Sequence, residues 1–180
     1  NLYPKIQLAI DISEDMPDFA GGNTDIAIGF ASPPPDEDLI QRTLCKTNYV
    51  LCGSPEYFAQ YSYPEKLTDL IQHKYICHEN RVVSKQIIKL QTNHDLDIKP
   101  YLVLNKVSSM VECALNGIGI VQIPNYLAKQ YLDNGRLIAI FPEYQAVDRD
   151  IYYFYSKFRY VEPKIRSFID FFFADLSVLS

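Results

Sequence analysis

The residues with the most reactive side chains are four cysteines, Cys45, Cys52, Cys77 and Cys113, and a histidine, His78, that follows one of them directly. A thiol beside an imidazole is the raw material of a nucleophile, and Cys52 or Cys77 with His78 offers those types. Sequence neighbours do not form such a pair by default. No GxSxG, HExxH, P-loop or Rossmann glycine pattern accompanies them, so enzyme chemistry is disfavoured and no catalytic residue is assigned. The cysteines lie far apart with no CxxC pair, which suits buried reduced thiols better than a zinc site or a disulfide framework. The expectation is a protein with no metal and no cofactor.

The elements that must hold these residues belong to a chain of 180 residues, 48% hydrophobic and 22% charged, a composition that folds around its own core. Seventeen Lys and Arg against 22 Asp and Glu leave a net charge of −5, which opposes a phosphate backbone. These residues alone are not expected to grip DNA. The longest apolar runs, residues 118–123 and 171–174, fall far short of the roughly 20 residues of a membrane span. The chain opens on Asn1-Leu2-Tyr3-Pro4, without Met or a secretory leader, and reads as a piece of a longer, cytoplasmic protein.

Residues 6–12 alternate as a strand, and Ser13-Glu14-Asp15 supplies an N-cap and an acidic first turn for a short helix stopped by Gly21-Gly22. Residues 25–30 follow as a short apolar strand of the kind covered on both faces in a parallel sheet. Pro33-Pro34-Pro35 breaks the chain, and residues 43–52 form one long strand. Ser54-Pro55-Glu56 starts a helix, and Leu67, Leu70 and Ile71 share a helical face before a strand at residues 75–77.

Two β-like runs between residues 85 and 106 flank the turn cluster Thr92-Asn93-His94-Asp95 and predict an antiparallel hairpin. Ser109-Met110-Val111-Glu112 fits a capping box, and Asn116-Gly117 ends its helix before a buried strand at residues 118–123. Pro124 opens the next helix, Asn134-Gly135 closes it, and residues 137–141 return as a strand. An aromatic strand, residues 151–155, precedes a last helix starting at Glu162-Pro163, with Ile165, Phe168, Ile169, Phe172 and Leu176 on one face.

In this order the elements resemble the effector-binding domain of LysR-type transcriptional regulators. The resemblance is carried by Tyr3-Pro4, residues 22–29 (GNTDIAIG), residues 54–58 (SPEYF), Pro64 with Leu67-Thr68-Asp69-Leu70 and His73, residues 116–120 (NGIGI) with Pro124, residues 134–137 (NGRL) and residues 163–171 (PKIRSFIDF). It covers nearly the whole chain. It implies an α/β fold of the type 2 periplasmic-binding-protein class, two α/β lobes joined by two crossover strands. Lobe I would be residues 1–52 plus 155–180, without its first strand and helix, and lobe II residues 53–154. The winged helix-turn-helix that binds DNA in the family is not in this chain. Gly29 stands where the family usually has Arg, and Ala31 where it often has Gly, which removes one charged group from the cleft.

The function this implies is ligand sensing and dimerisation within a transcription regulator, with a periplasmic solute-binding protein of a transporter as the alternative. Ligands of parallel α/β sheets bind beyond the strand C-termini, where helix N-termini favour anions. The effector contacts implied on lobe I are Asp11, Ser13, Phe30, Ala31 and Ser32; on lobe II they are His78, Glu79, Asn105, Val107, Ser108 and Ser109. Ser13 and Ser109 can serve as helix caps, as ligand contacts or as both, and His78 as a backbone-bonded strand end, a ligand contact or a pH sensor. His73 reads as a structural group that closes a helix, and residues 152–155 as core or dimer surface. The expected partners are a small-molecule effector, an anion by this field, and copies of the chain in a homodimer or tetramer. DNA would be reached only through the missing N-terminal domain, and no membrane is involved.

Overall fold

A computed structural model describes residues 3–13, 19, 21–30, 38–83, 98–142, 149–158 and 162–174. In chain order the elements are β1 (Ile26–Gly29), β2 (Leu39–Thr47), β3 (Tyr49–Gly53), α1 (Pro55–Tyr61), a 3-10 helix (Leu67–Gln72), β4 (Tyr75–His78) and α2 (Glu79–Val83). They continue with β5 (Leu102–Leu104), α3 (Val107–Leu115), β6 (Ile120–Pro124), α4 (Asn125–Asp133), β7 (Ile138–Ile140), β8 (Arg149–Ser156) and α5 (Pro163–Ala174). The chain divides into two compact units, Asn1–Lys46 with Arg149–Ser180, and Thr47–Asp148. The sequence reading set these crossings at 52/53 and 154/155. Strand pairing assigns residues 49–52 to the second unit and 149–154 to the first.

In the first unit the strands are ordered β1-β8-β2, and β1 runs antiparallel to β8 with Ile26 opposite Tyr155 and Gly29 opposite Tyr152. The expectation of a parallel strand covered on both faces is corrected here: β1 lies at the edge and Ile28 is 50% exposed. Ile165 and Ile169 of α5 bury against Tyr155, with Ile26, Ile40, Tyr153 and Phe173 around them. Lys164 ties the start of that helix to Asp25 at 3.2 Å and to Glu162 at 3.3 Å.

Residues 6–12 are not a strand. Leu8, Ile10 and Ile12 stand 64%, 80% and 93% exposed, because a strand exists through its ladder and no ladder partner reaches them among the described residues. The helix expected after Ser13 lies mostly outside the described residues, as do the triple proline and the hairpin turn at residues 92–95. Gly22 does adopt a left-handed φ of 73°, with its N–H on the Phe19 carbonyl.

The second unit is built on a five-stranded mixed sheet, β5-β4-β6-β3-β7. Strands β5, β4 and β6 are parallel, while β3 is antiparallel to both β6 and β7. Alternation along the strands sorts the side chains onto two faces. Leu51, Tyr75, Cys77 and Ile120 pack with Tyr57, Phe58 and Leu70 from α1 and the 3-10 helix. Cys52, Ile76, Val121 and Ile123 pack with Met110, Val111, Ala114 and Ala128 from α3 and α4.

The single strand expected over residues 43–52 is two strands in different sheets. Asn48 separates them, its carbonyl turned to accept the Asn125 N–H at 2.9 Å and the Thr47 hydroxyl at 3.2 Å. Two termini follow the sequence reading closely. Ser54 caps α1 by accepting the Tyr57 N–H at 3.2 Å. Helix α3 ends at Asn116 with Gly117 at φ 70°, where the Ile118 N–H reaches back to the Cys113 carbonyl. The capping box expected at Ser109 is corrected: the N-cap of α3 is Lys106, three residues earlier, and its side chain makes no capping bond.

Candidate functional site

Parallel pairing places the C-terminal ends of β4 and β5 side by side, with His78 opposite Leu104. The chain leaves β4 into α2 and leaves β5 into α3, so His78, Glu79, Asn105, Val107, Ser108 and Ser109 gather at one end of the second unit's sheet. The His78 ring links the two strand ends. Its Nδ1 accepts the Asn80 N–H at 3.2 Å, which leaves the proton of the neutral ring on Nε2, donated to the Asn105 carbonyl at 3.2 Å. His78 is thus bonded to backbone on both sides and fixes the geometry of both loops. Glu79, Asn105 and Ser108 are exposed beside it, and Val107 and Ser109 half-buried in the first turn of α3.

Three residues expected on the first unit are described. Asp11 and Ser13 are exposed in a stretch without regular structure rather than at a strand end, and Phe30 follows β1 and is half-buried. Ala31 and Ser32 lie outside the described residues.

The sequence reading missed a second polar group in this unit. Arg81 of α2 donates through Nη1 to Oε1 of Gln122, and its guanidinium lies over the Tyr49 ring, 4.9 Å from the centroid. Gln122 is buried in the middle of β6. The signal was present: a Gln inside the apolar run Ile120-Val121-Gln122-Ile123 demands a partner, because a buried amide without one is costly.

The thiols are poorly placed for nucleophilic work. Burial pushes Cys52 up to about 12 and raises Cys77 as well. Cys77 Sγ donates to the carbonyl of His78 at 3.4 Å, a backbone bond that does not involve the imidazole. All four cysteines are unbridged, and the described residues contain no group of three or more His, Cys, Asp or Glu placed to hold a metal.

Residues 1–177 match the model of the LysR substrate binding domain. The chain belongs to that family. The LysR domain is similar over 172 residues, at 27% identity, to the HTH-type transcriptional activator TtdR of Escherichia coli K12, covering 94% of this chain and 55% of TtdR. It spans about half the length of the curated relatives it matches. Among solved structures it resembles CrgA of Neisseria meningitidis, a LysR-type transcriptional regulator, with a TM-score of 0.85 at 23% identity over 97% of this chain and 60% of that one. The regulatory domain of AphB from Vibrio vulnificus aligns with a TM-score of 0.72 at 24% identity, over 99% of this chain and 87% of that one. These likenesses agree in fold with the type 2 periplasmic-binding-protein architecture expected from the sequence. The relatives are named as regulators, which gives the transporter alternative no support and offers no enzymatic precedent.

Proposed function

We propose that this LysR domain is the ligand-sensing and dimerising part of a cytoplasmic transcription regulator, acting without making or breaking bonds. The observation that carries the reading is the junction of β4, β5 and α3 in a chain matched to the family over 177 residues. A histidine locks two loops there beside exposed polar groups and the first turn of the nine-residue helix α3. The positive end of the helix dipole favours an anionic small molecule. In this reading His78, Glu79, Asn105, Val107, Ser108 and Ser109 contact the effector from one lobe, and Asp11, Ser13, Phe30, Ala31 and Ser32 from the other. The two units serve as lobes, and the ligand shifts their balance by its differential affinity for one arrangement. A homodimer passes that shift to DNA-binding segments that the longer relatives' names imply.

The test is a thermal-shift screen of small carboxylates and phosphates, since a ligand of the native state at 100 times its Kd contributes about 2.7 kcal/mol of stability. A ligand found in this way should lose its shift in Ser109→Ala. That variant is informative because Ser109 is not the cap of α3, so its own cost should stay within about 0.5 kcal/mol. An undiminished shift in Ser109→Ala and in Asn105→Ala together would remove the site.

A further inference from the structure

The Tyr57 side chain is completely buried in the second unit, and its hydroxyl joins α1 to the segment entering β4. The phenol oxygen accepts the backbone N–H of Lys74 at 2.8 Å and lies 3.1 Å from His73 Nδ1. A buried phenol hydrogen needs an acceptor, and among the described residues the one at hydrogen-bond distance is His73 Nδ1, so the phenol donates to the imidazole while accepting from Lys74. His73 Nδ1 is therefore the acceptor, and its ring is neutral with the proton on Nε2. The same corner is anchored on its far side, where the Lys74 carbonyl accepts the Ile120 N–H of β6 at 2.8 Å.

We propose that His73 is an acid-sensitive latch, fastening α1 to the corner between the 3-10 helix and β4 while its ring is neutral and releasing that helix when the ring is protonated. An imidazolium has two donors and no acceptor. Its Nδ1–H would point at an oxygen already accepting from Lys74, and the buried phenol hydrogen would lose its partner. The groups facing this corner are Tyr57 and Tyr61 from α1, Asp69 from the 3-10 helix, and Lys74 and Tyr101 before β4 and β5. Asp69 favours the charged ring but already accepts the N–H groups of Glu65 and Lys66 at 3.0 and 2.9 Å. The Lys74 ammonium, held over the Tyr61 and Tyr101 rings, brings no acceptor.

The sign follows from the cause. Burial of the ring lowers the His73 pKa below its ordinary value, with Asp69 opposing. Between about 6.5 and that lower value the unfolded chain binds more protons than the folded one. Stability is fully present above pH 6.5 and is lost as pH falls toward the folded pKa.

The latch is independent of the effector reading and is tested on the full chain by NMR. The His73 ring should titrate below about 6.5, and the α1 amide signals should move with the same midpoint. Tyr57→Phe should shift the His73 midpoint up toward 6.5. Should that variant not fold, His73→Gln supplies an acceptor that does not titrate, and the α1 signals should become insensitive to pH between about 7.5 and 5. A His73 midpoint at or above 6.5, α1 signals that stay still through it, or acid-responsive α1 signals in His73→Gln would overturn the proposal.

Discussion

Gly119 shows how one residue can be fixed by a neighbour's backbone. A Cβ there would fall onto the carbonyl oxygen of Lys74, the same oxygen that accepts the Ile120 N–H. Backbone cannot swing aside as a side chain can, so Gly119→Ala must separate β6 from the chain entering β4. The expected loss is about 1–3 kcal/mol, typical of overpacking a tight site, read as a lower urea midpoint with an unchanged slope. Gly135→Ala is a different experiment, because its φ of 74° makes the strain conformational and no atom lies within 4 Å of the added carbon. At this scale the sequence was legible where a side chain bonds its own neighbourhood, as Ser54 does on α1. It was illegible where the partner is remote: nothing near Arg81 announces Gln122, and nothing near Gly119 announces Lys74.

Helix α5 joins local pattern to tertiary packing. Its apolar spacing predicted one buried face, and Ile165 and Ile169 are buried against Tyr155 of β8. Phe171 and Phe172 remain substantially exposed, so the apolar side of this helix is wider than the core it covers. Ile165→Ala is expected to cost about 2–5 kcal/mol, from lost transfer energy and the cavity left behind. Arg166→Ala, one position along, should cost less than about 0.5 kcal/mol, since its 3.7 Å pair with Asp170 is exposed and screened. Equal midpoints for the two variants in denaturant would contradict the placement of α5. Helix ends were the best-read features because caps and glycines act over three or four residues. Strand pairing was the worst read: residues 6–12 and 43–52 alternate convincingly, yet whether a strand forms, and in which sheet, depends on partners dozens of residues away. The alternation of strands and helices made the α/β class accessible, but not the pairing: residues 102–104, read as part of an antiparallel hairpin, form β5 parallel to β4, and the antiparallel partner of β1 was not foreseen.

For the whole molecule the electrostatic balance opposes DNA binding by these residues. Phosphate contacts draw on free cationic groups, and each releases counterions, so non-specific affinity falls steeply with salt. This chain has five more acidic than basic side chains by formal charge. Several of its cations are also committed nearby, Lys129 to Asp133 at 2.9 Å and Lys164 to Asp25 and Glu162. Residues 1–180 alone should therefore leave the mobility of a DNA duplex unchanged at tens of micromolar protein and about 150 mM salt, where non-specific binders have Kd values of about 10⁻⁴ to 10⁻⁶ M. Light scattering on the same sample should report a dimer, because the proposed relay to DNA-binding segments requires two copies. Retardation of the duplex that weakens linearly in log salt would mean that a local basic surface outweighs the net charge, and a monomer would leave the sensing unit with nothing to relay. With the duplex unmoved and a dimer present, residues 1–180 would fit the proposed sensing and dimerising part and would not themselves supply the proposed DNA contact.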